Sequence, residues 1–188
     1  MPNEGAPSRD SERSDPDLPA GLTVDVADGT SRLPAGDLAW LHEHVTRAGG
    51  VLKVTGSISA RVVGDAEMAQ AHEEFCGAEG TTDVITFDLT DPEDGMAARG
   101  VVEADLLLCL DEAHRQGASR GHAARRELLL YAVHGVLHCL GHDDHDDAGY
   151  ARMHAEEDRV MESLGVGATF ATQPRGAPGA GPETGGER

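Results

Sequence analysis

The sequence predicts an α+β domain in which a single small mixed β-sheet is packed with about five helices. Three observations indicate this fold class. Short segments that alternate apolar and polar residues are typical of half-buried strands, and one nearly continuous apolar run suits a central strand. Several longer stretches carry apolar residues at helical spacing. Strands and helices mixed in this way form a sheet with helices packed against it.

The first part of the chain contains two predicted strands on either side of a helix. Leu22–Ala27 and Ile58–Val63 alternate apolar and polar side chains, as half-buried strands do. Pro34–Ala48 suits a helix that places Leu38, Leu41 and Val45 on one face. We expect Gly49 and Gly50 to end this helix, since glycine readily takes the left-handed conformation found after helix ends.

The middle of the chain continues with both kinds of element. Asp65 is predicted to cap a short helix that runs through Phe75. Val84–Leu89 is rich in residues that favour strands, and Asp105–Leu110 is the apolar run that suits a central strand. A short helix is expected to follow at Asp111–Gln116.

Two further helices complete the predicted domain. Gly121–Leu140 is predicted to be the longest helix, and Gly141 stands where such a helix ends in a left-handed residue. The last predicted helix, Asp147–Leu164, is amphipathic. The buried face of the longest helix is expected to consist of Leu129, Val133, Val136, Leu137 and Leu140.

The compact domain is expected to span residues 21–164, with a tail on each side. Residues 1–20 are charged and rich in proline and serine, and they are predicted to form a disordered acidic tail. Residues 165–188 are predicted to form a disordered tail rich in glycine and proline. A chain of 188 residues suits one ordinary domain with such tails.

Charge and cysteine content narrow the class of protein. The formal net charge of −19 disfavours binding to nucleic acids and to anionic membranes, unless a local basic patch outweighs the average charge. No apolar run is long enough to span a membrane, and the first residues lack the apolar stretch of a secretory signal. The three cysteines are not spaced as a disulfide framework or a zinc ribbon. We therefore expect a cytoplasmic protein with no membrane partner.

The strongest chemical signal is a pair of histidines on the longest predicted helix. His134 and His138 are four residues apart, so both imidazoles project from one face and can reach a single ion. Gly141 then allows a sharp turn that brings a third ligand back. Three protein ligands with an open fourth position are typical of catalytic zinc. The sequence therefore predicts one Zn²⁺ ion per chain at the end of this helix.

The third ligand has two candidates. Asp144 is the tenth residue after His134, which is the spacing of metzincin-like sites. His145 is one residue further and is the better zinc donor by type. His142 follows the glycine directly and is too close to fold back. We favour Asp144, because spacing constrains geometry more than donor preference does, and keep His145 as the alternative.

The residue after the first histidine argues against peptidase chemistry. Zinc peptidases with this histidine spacing carry glutamate there as the general base. This chain has Gly135 instead. A minimal metallopeptidase is therefore disfavoured, and the sequence identifies no general acid or base.

The segment HGVLHCLGHDDH resembles the HGxLHLxGyDH signature of the YbeY family of bacterial rRNA maturation factors. The resemblance continues upstream in register. ISARVVGDAEMAQAHEEFCGAEGTTDVITFDL is similar to the family's strand, helix and loop, and DLLLCLDEA is similar to its central strand. It covers the chain from about Ser57 to Leu164, and the histidine motif is its most specific part.

The resemblance implies a metal-dependent endoribonuclease specific for single strands. Family members act in maturation of small-subunit ribosomal RNA and in ribosome quality control in the cytoplasm. The implied partners are single-stranded ribosomal RNA and proteins of the small ribosomal subunit. The family's metal ligands fall on His134, His138 and Asp144, and most members carry a third histidine at the last of these positions.

Two departures from the family pattern concern RNA binding. The family has Tyr-Arg where this chain has Phe75 and Cys76, so a basic group thought to face substrate is missing. The family's proline before its conserved threonine is replaced by Thr81. Other arginines would have to contact RNA, and the candidates are Arg61, Arg120, Arg125 and Arg126.

The same departures motivate an alternative function. A ribosome-assembly factor whose zinc is mainly structural would tolerate a missing arginine and a strongly acidic surface. Its zinc would have four protein ligands, for example through both Asp144 and His145, because structural sites keep no open position.

Overall fold

A computed structural model describes residues 21–91, 95 and 97–170. Within them, the chain forms four strands and five α-helices, and the last three helices follow one another after the last strand. Two shorter turns accompany them: a π-helical turn at His72–Cys76 and a 3₁₀ turn at Ala97–Arg99. The elements are β1 Leu22–Asp28, α1 Ala35–Leu52, β2 Thr55–Val63, α2 Asp65–Ala71, β3 Val84–Asp88, β4 Val101–Cys109, α3 Leu110–Arg120, α4 Ala124–Cys139 and α5 Asp147–Ser163.

The four strands form one mixed sheet in the order β1-β2-β4-β3. β1, β2 and β4 run parallel, and β3 pairs antiparallel with β4 at one edge. β4 contains the apolar run noted in the sequence and lies between two strands, as a nearly continuous apolar segment should. The prediction of an α+β fold with one mixed sheet and five helices is confirmed.

Helix α4 lies at the centre of the domain. It contacts β3 and β4 on the sheet and helices α1, α3 and α5 around it. Eleven of its 16 residues are buried, including all of Glu127–Val133. The predicted apolar face is therefore part of a helix that is buried nearly all round, which is typical of a core helix. This packing gives the residues at its C-terminal end a rigid support.

Two expectations about helix lengths are wrong. Helix α1 runs through Gly49 and Gly50 and ends only at Leu52, followed by Lys53 with φ of 58°. Gly49 is buried against β1, where an added Cβ would lie 2.1 Å from Leu22 Cδ2, so this glycine allows close packing. With 18 residues α1 is the longest helix in the described part of the chain, whereas the helix that carries the histidine pair has 16.

The predicted capping role of Asp65 is also wrong. Asp65 is the first residue of α2, and its backbone N–H donates to Asp111 Oδ2 at 2.9 Å. Asp111 therefore caps α2 from the first turn of α3. The Asp65 carboxylate instead accepts two hydrogen bonds from Arg115, at 2.7 and 2.8 Å.

The segment 165–170, assigned above to a disordered tail, is bonded to the domain. Arg126 donates to the carbonyl oxygens of residues 166, 167 and 168. Asp158 Oδ1 accepts the backbone N–H groups of Thr169 and Phe170 at 2.5 and 3.0 Å. We call residues 165–170 the C-terminal strap. The remaining predicted tail residues, 1–20 and 171–188, lie outside the described residues, and no described helix is long and apolar enough to cross a membrane.

Candidate metal centre

The histidine pair lies in the last turns of α4, with both rings partly exposed. His134 and His138 follow each other one helical turn apart, and their Nε2 atoms are 3.0 Å apart. The ring centroids are separated by 4.6 Å and the ring planes are nearly perpendicular. Both Nε2 atoms thus point to the same place, as the four-residue spacing predicts.

Each histidine is held through its other ring nitrogen. Nδ1 of His134 lies 2.7 Å from Glu157 Oε1, and Nδ1 of His138 lies 3.0 Å from the carbonyl oxygen of His142. A carboxylate or carbonyl at Nδ1 fixes a hydrogen on that nitrogen and leaves Nε2 free to bind a metal. This arrangement is the usual outer support of metal-ligating histidines.

Glu157 is a part of the site that the sequence analysis missed. It lies on α5 with 1% of its side chain exposed, and its second oxygen, Oε2, lies 2.6 Å from His154 Nδ1. Burial disfavours its charged form, but the hydrogen bonds from His134 and His154 outweigh burial and hold the pKa of Glu157 below its usual value. Burial likewise disfavours the charged imidazole of His134, whose pKa is nevertheless raised by the bond to Glu157.

A tight loop after α4 carries the candidate third ligand. Gly141 has φ of 85°, the left-handed conformation expected there. Asp146 caps α5 by accepting the Gly149 N–H at 2.6 Å. Gly149 is packed so closely that an added Cβ would lie 2.2 Å from the carbonyl oxygen of Asp143. The loop is thereby held against the first turn of α5, which positions Asp144 near the histidines.

Asp144 is grouped with the histidine pair, and His145 is not. The ligand atoms of His134, His138 and Asp144 all lie within 4.8 Å of one another. Asp144 Oδ1 is 4.0 Å from His138 Nε2. His145 is 84% exposed and directs Nδ1 to Asp143. The donor set of two imidazole nitrogens and one carboxylate oxygen is one that zinc accepts.

The packing around Gly135 explains why this position holds glycine, and it bears on peptidase chemistry. It faces the sheet, where an added Cβ would lie 2.6 Å from Thr86 Oγ1 and 2.9 Å from Leu106 Cδ2. A glutamate at this position would therefore enter the packed interface between α4 and the sheet. The position that supplies the general base in zinc peptidases has no room for that side chain here.

The candidate ligands border open space on two sides. His134 and Asp144 line a cleft of about 560 Å³, which we call the α4–α5 cleft. His134 and His138 also line a second groove, which Cys76 lines as well. Substrate atoms could therefore approach the Nε2 atoms, unlike the closed surroundings of a structural metal.

The four candidate RNA-binding arginines are separated by the fold. Only Arg120 lines the α4–α5 cleft, and it pairs there with buried Glu127 at 2.8 Å. Arg61 pairs with Glu67, and Arg125 pairs with Asp37. Arg126 is occupied by the carbonyl oxygens of the C-terminal strap.

The chain is similar to known proteins of one family. The model of the family described as endoribonuclease YbeY matches residues 35–165. The chain is 31% identical over 113 residues to endoribonuclease YbeY of Desulfitobacterium hafniense, covering 58% of this chain and 72% of that protein. It is 28% identical over 149 residues to that of Macrococcus caseolyticus, covering 77% and 97%, and 42% identical over 106 residues to that of Micrococcus luteus, covering 55% and 67%.

A solved structure supports the fold independently. The solution structure of TM1509 from Thermotoga maritima matches with a TM-score of 0.51 at 19% identity, covering 75% of this chain and 91% of that one. This likeness concerns the fold alone. Because the family model spans most of the chain, including the histidine motif and the helices around it, the chain belongs to the endoribonuclease YbeY family.

Proposed function

We propose that this protein is a metal-dependent endoribonuclease that cleaves single-stranded RNA during maturation and quality control of the small ribosomal subunit in the cytoplasm. It would bind one Zn²⁺ ion through His134, His138 and Asp144. Its partners would be single-stranded ribosomal RNA and proteins of the small subunit. The observation that carries the proposal is the pair of Nε2 atoms 3.0 Å apart, beside a carboxylate and at the border of a cleft.

The side chains around the site have separate tasks in this proposal. Glu157 and the carbonyl oxygen of His142 keep a hydrogen on each Nδ1 atom, so that both Nε2 atoms stay available as metal ligands. The capped loop holds the Asp144 carboxylate at the same place. A bound zinc ion would polarise a phosphate oxygen or lower the pKa of a bound water to about 7.

The acidic surface is compatible with RNA binding only through local contacts. A net charge of −19 repels RNA at long range, so association should be slow and sensitive to salt. A bound metal ion would itself supply positive charge where the phosphodiester would lie, since Arg120 at the α4–α5 cleft is paired with Glu127. The fully base-paired form of an RNA presents no free bases to such a cleft, which favours single strands.

The test is cleavage of RNA by the full chain. Zinc-loaded wild-type protein should cut a single-stranded ribosomal RNA fragment and should leave its duplex form intact. His138→Ala, which removes one candidate ligand, should abolish the cut, and an excess of chelator should do the same to the wild type. Equal cleavage by wild type and His138→Ala would show that the activity comes from a contaminant and would refute the proposal.

The alternative of an assembly factor with structural zinc is supported by the missing arginine at Cys76. Its closed site would need His145 as a fourth ligand, but that side chain is exposed and turned to Asp143. Absorption spectra of the cobalt-substituted protein separate the two proposals. A spectrum of five-coordinate cobalt, or of cobalt with an exchangeable water ligand, supports the nuclease. A spectrum of tetrahedral cobalt with four protein ligands, altered in His145→Ala, supports the assembly factor.

A further inference from the structure

The α4–α5 cleft extends well beyond the candidate ligands. Its volume is about 560 Å³, and it reaches from His134 to Phe170 of the C-terminal strap. Residues of α3, α4 and α5 and of the loop before β3 form its walls. A concave site of this size between helices can hold a small ring system.

One wall of the cleft contains a buried hydroxyl without a partner. Tyr131 is 4% exposed, it lines the cleft, and its hydroxyl has no hydrogen-bond partner within the described part of the chain. Burial, together with the charges of Glu127 and Asp83, raises the pKa of Tyr131, so the hydroxyl stays protonated and can donate. Because a buried polar group without a partner is costly, this hydroxyl is a candidate contact for a ligand.

A second part of the cleft lining is aromatic. The Tyr150 ring is 51% exposed and packs edge-on against His154, with the centroids 4.0 Å apart. His154 in turn stacks on Phe170 of the C-terminal strap at 3.6 Å. The three rings line the cleft together. An exposed, supported aromatic ring is the usual platform on which an unpaired base stacks.

The charge of the cleft favours a base over a phosphate. The one arginine of the lining, Arg120, is already paired with Glu127 at 2.8 Å. A phosphate deep in the cleft would be repelled by the carboxylates, whereas a neutral ring with amino and carbonyl groups would not. The carboxylates that line the cleft are Asp83, Glu112, Asp144 and Glu157.

We propose that the α4–α5 cleft binds one unpaired nucleobase of the RNA, next to the phosphodiester at the metal centre. The base would stack on Tyr150 and accept a hydrogen bond from the Tyr131 hydroxyl, with the C-terminal strap closing the end of the cleft. This inference rests on the proposed nuclease function and assigns specificity-determining residues to it. A base held in a duplex cannot enter, so the subsite also gives a reason for single-strand preference.

The test measures binding of fluorescent single-stranded RNA by anisotropy in the presence of a chelator, so that no cleavage occurs. Tyr150→Ala should weaken binding about 5- to 150-fold, the effect of losing one stacked base. Tyr131→Phe, which removes only the hydroxyl, should weaken it about 3- to 10-fold. Leu89→Ala removes an equally exposed apolar side chain that does not line the cleft and should leave the affinity unchanged.

A second arm uses RNAs with one abasic nucleotide moved along the strand. Wild type should bind the RNA more weakly when the abasic nucleotide stands at one particular position. The affinity of Tyr150→Ala should not depend on whether that nucleotide has a base. Equal affinity of Tyr150→Ala and Leu89→Ala, or no special abasic position, would overturn the subsite. If zinc-loaded wild type still cleaves RNA in that case, the nuclease function stands without it. If wild type neither binds nor cleaves RNA, both proposals fail, and circular dichroism of each variant excludes unfolding as the cause.

Discussion

Replacement of Glu157 by glutamine should weaken metal binding although Glu157 is not a candidate ligand. The carboxylate accepts hydrogen bonds from both His134 and His154, at 2.7 and 2.6 Å, and is almost fully buried. Glutamine has the same shape but only one acceptor oxygen, so one of the two histidines loses its partner. A hydrogen bond to a charged group contributes about 1.5–3 kcal/mol.

The expected loss of zinc affinity follows from that bond. Removal of such an outer partner typically lowers metal affinity about 10- to 100-fold, which corresponds to roughly 1.4–2.7 kcal/mol. We would measure the zinc dissociation constant by competition with a chromogenic chelator. Glu156→Gln is the matched control, because Glu156 is adjacent, pairs with Arg159 and contacts neither histidine. Equal dissociation constants for the two variants would refute the assignment of Glu157.

The pH dependence of the same variant has a defined sign. Glu157 raises the pKa of His134, although burial acts in the opposite direction. A metal must displace a proton from this imidazole if it is charged, so protons compete with zinc to a higher pH in the wild type than in Glu157→Gln. The affinity deficit of the variant should therefore be largest near about pH 8 and shrink towards about pH 6, around the ordinary histidine pKa. A deficit that grows on acidification would contradict this explanation.

Three further substitutions test the structure around the site. Arg120→Ala leaves buried Glu127 without its guanidinium and should lower the free energy of unfolding in urea by about 3 kcal/mol. Gly135→Ala should lower the free energy of unfolding by about 1 kcal/mol, because the clash of the new Cβ with the sheet outweighs the higher helix propensity of alanine. Gly50→Ala is the control, since the space around Gly50 is open, and it should leave the stability unchanged or raise it. Cys76→Arg should tighten RNA binding and steepen its log–log salt dependence by about 0.7, whereas an unchanged slope would contradict the position of Cys76 beside the RNA.

Much of the fold could be predicted from local sequence patterns. Alternation in Ile58–Val63 and the apolar run in Asp105–Leu110 correspond to β2 and β4, and the amphipathic pattern of Asp147–Leu164 corresponds to α5. Such patterns suffice because burial on one face or on both faces of an element leaves a periodic trace. The ends of elements were less predictable. Gly49 continues a helix because a neighbouring strand packs against it, and no local pattern contains that contact.

Features that depend on distant residues could not be predicted. Asp111 caps α2 although it lies 46 residues beyond the N–H that it accepts. The sequence of the C-terminal strap predicts a segment that does not pack, yet hydrogen bonds to Arg126 and Asp158, on two different helices, hold it against the domain. In the site, the four-residue spacing of His134 and His138 was enough to predict that their rings lie side by side. Glu157 was missed because its role depends on how α5 packs against α4, although its buried position on an amphipathic helix was a usable signal.

We propose that His134, His138 and Asp144 together bind one metal ion, and the metal content of purified protein tests this assignment of ligands. Zinc per chain should be measured for wild type, Asp144→Ala and His145→Ala after dialysis against a weak chelator. Wild type and His145→Ala should retain about one ion per chain, and Asp144→Ala should retain far less. Full zinc in Asp144→Ala together with its loss in His145→Ala would refute this ligand set, and so would a wild type that binds no metal.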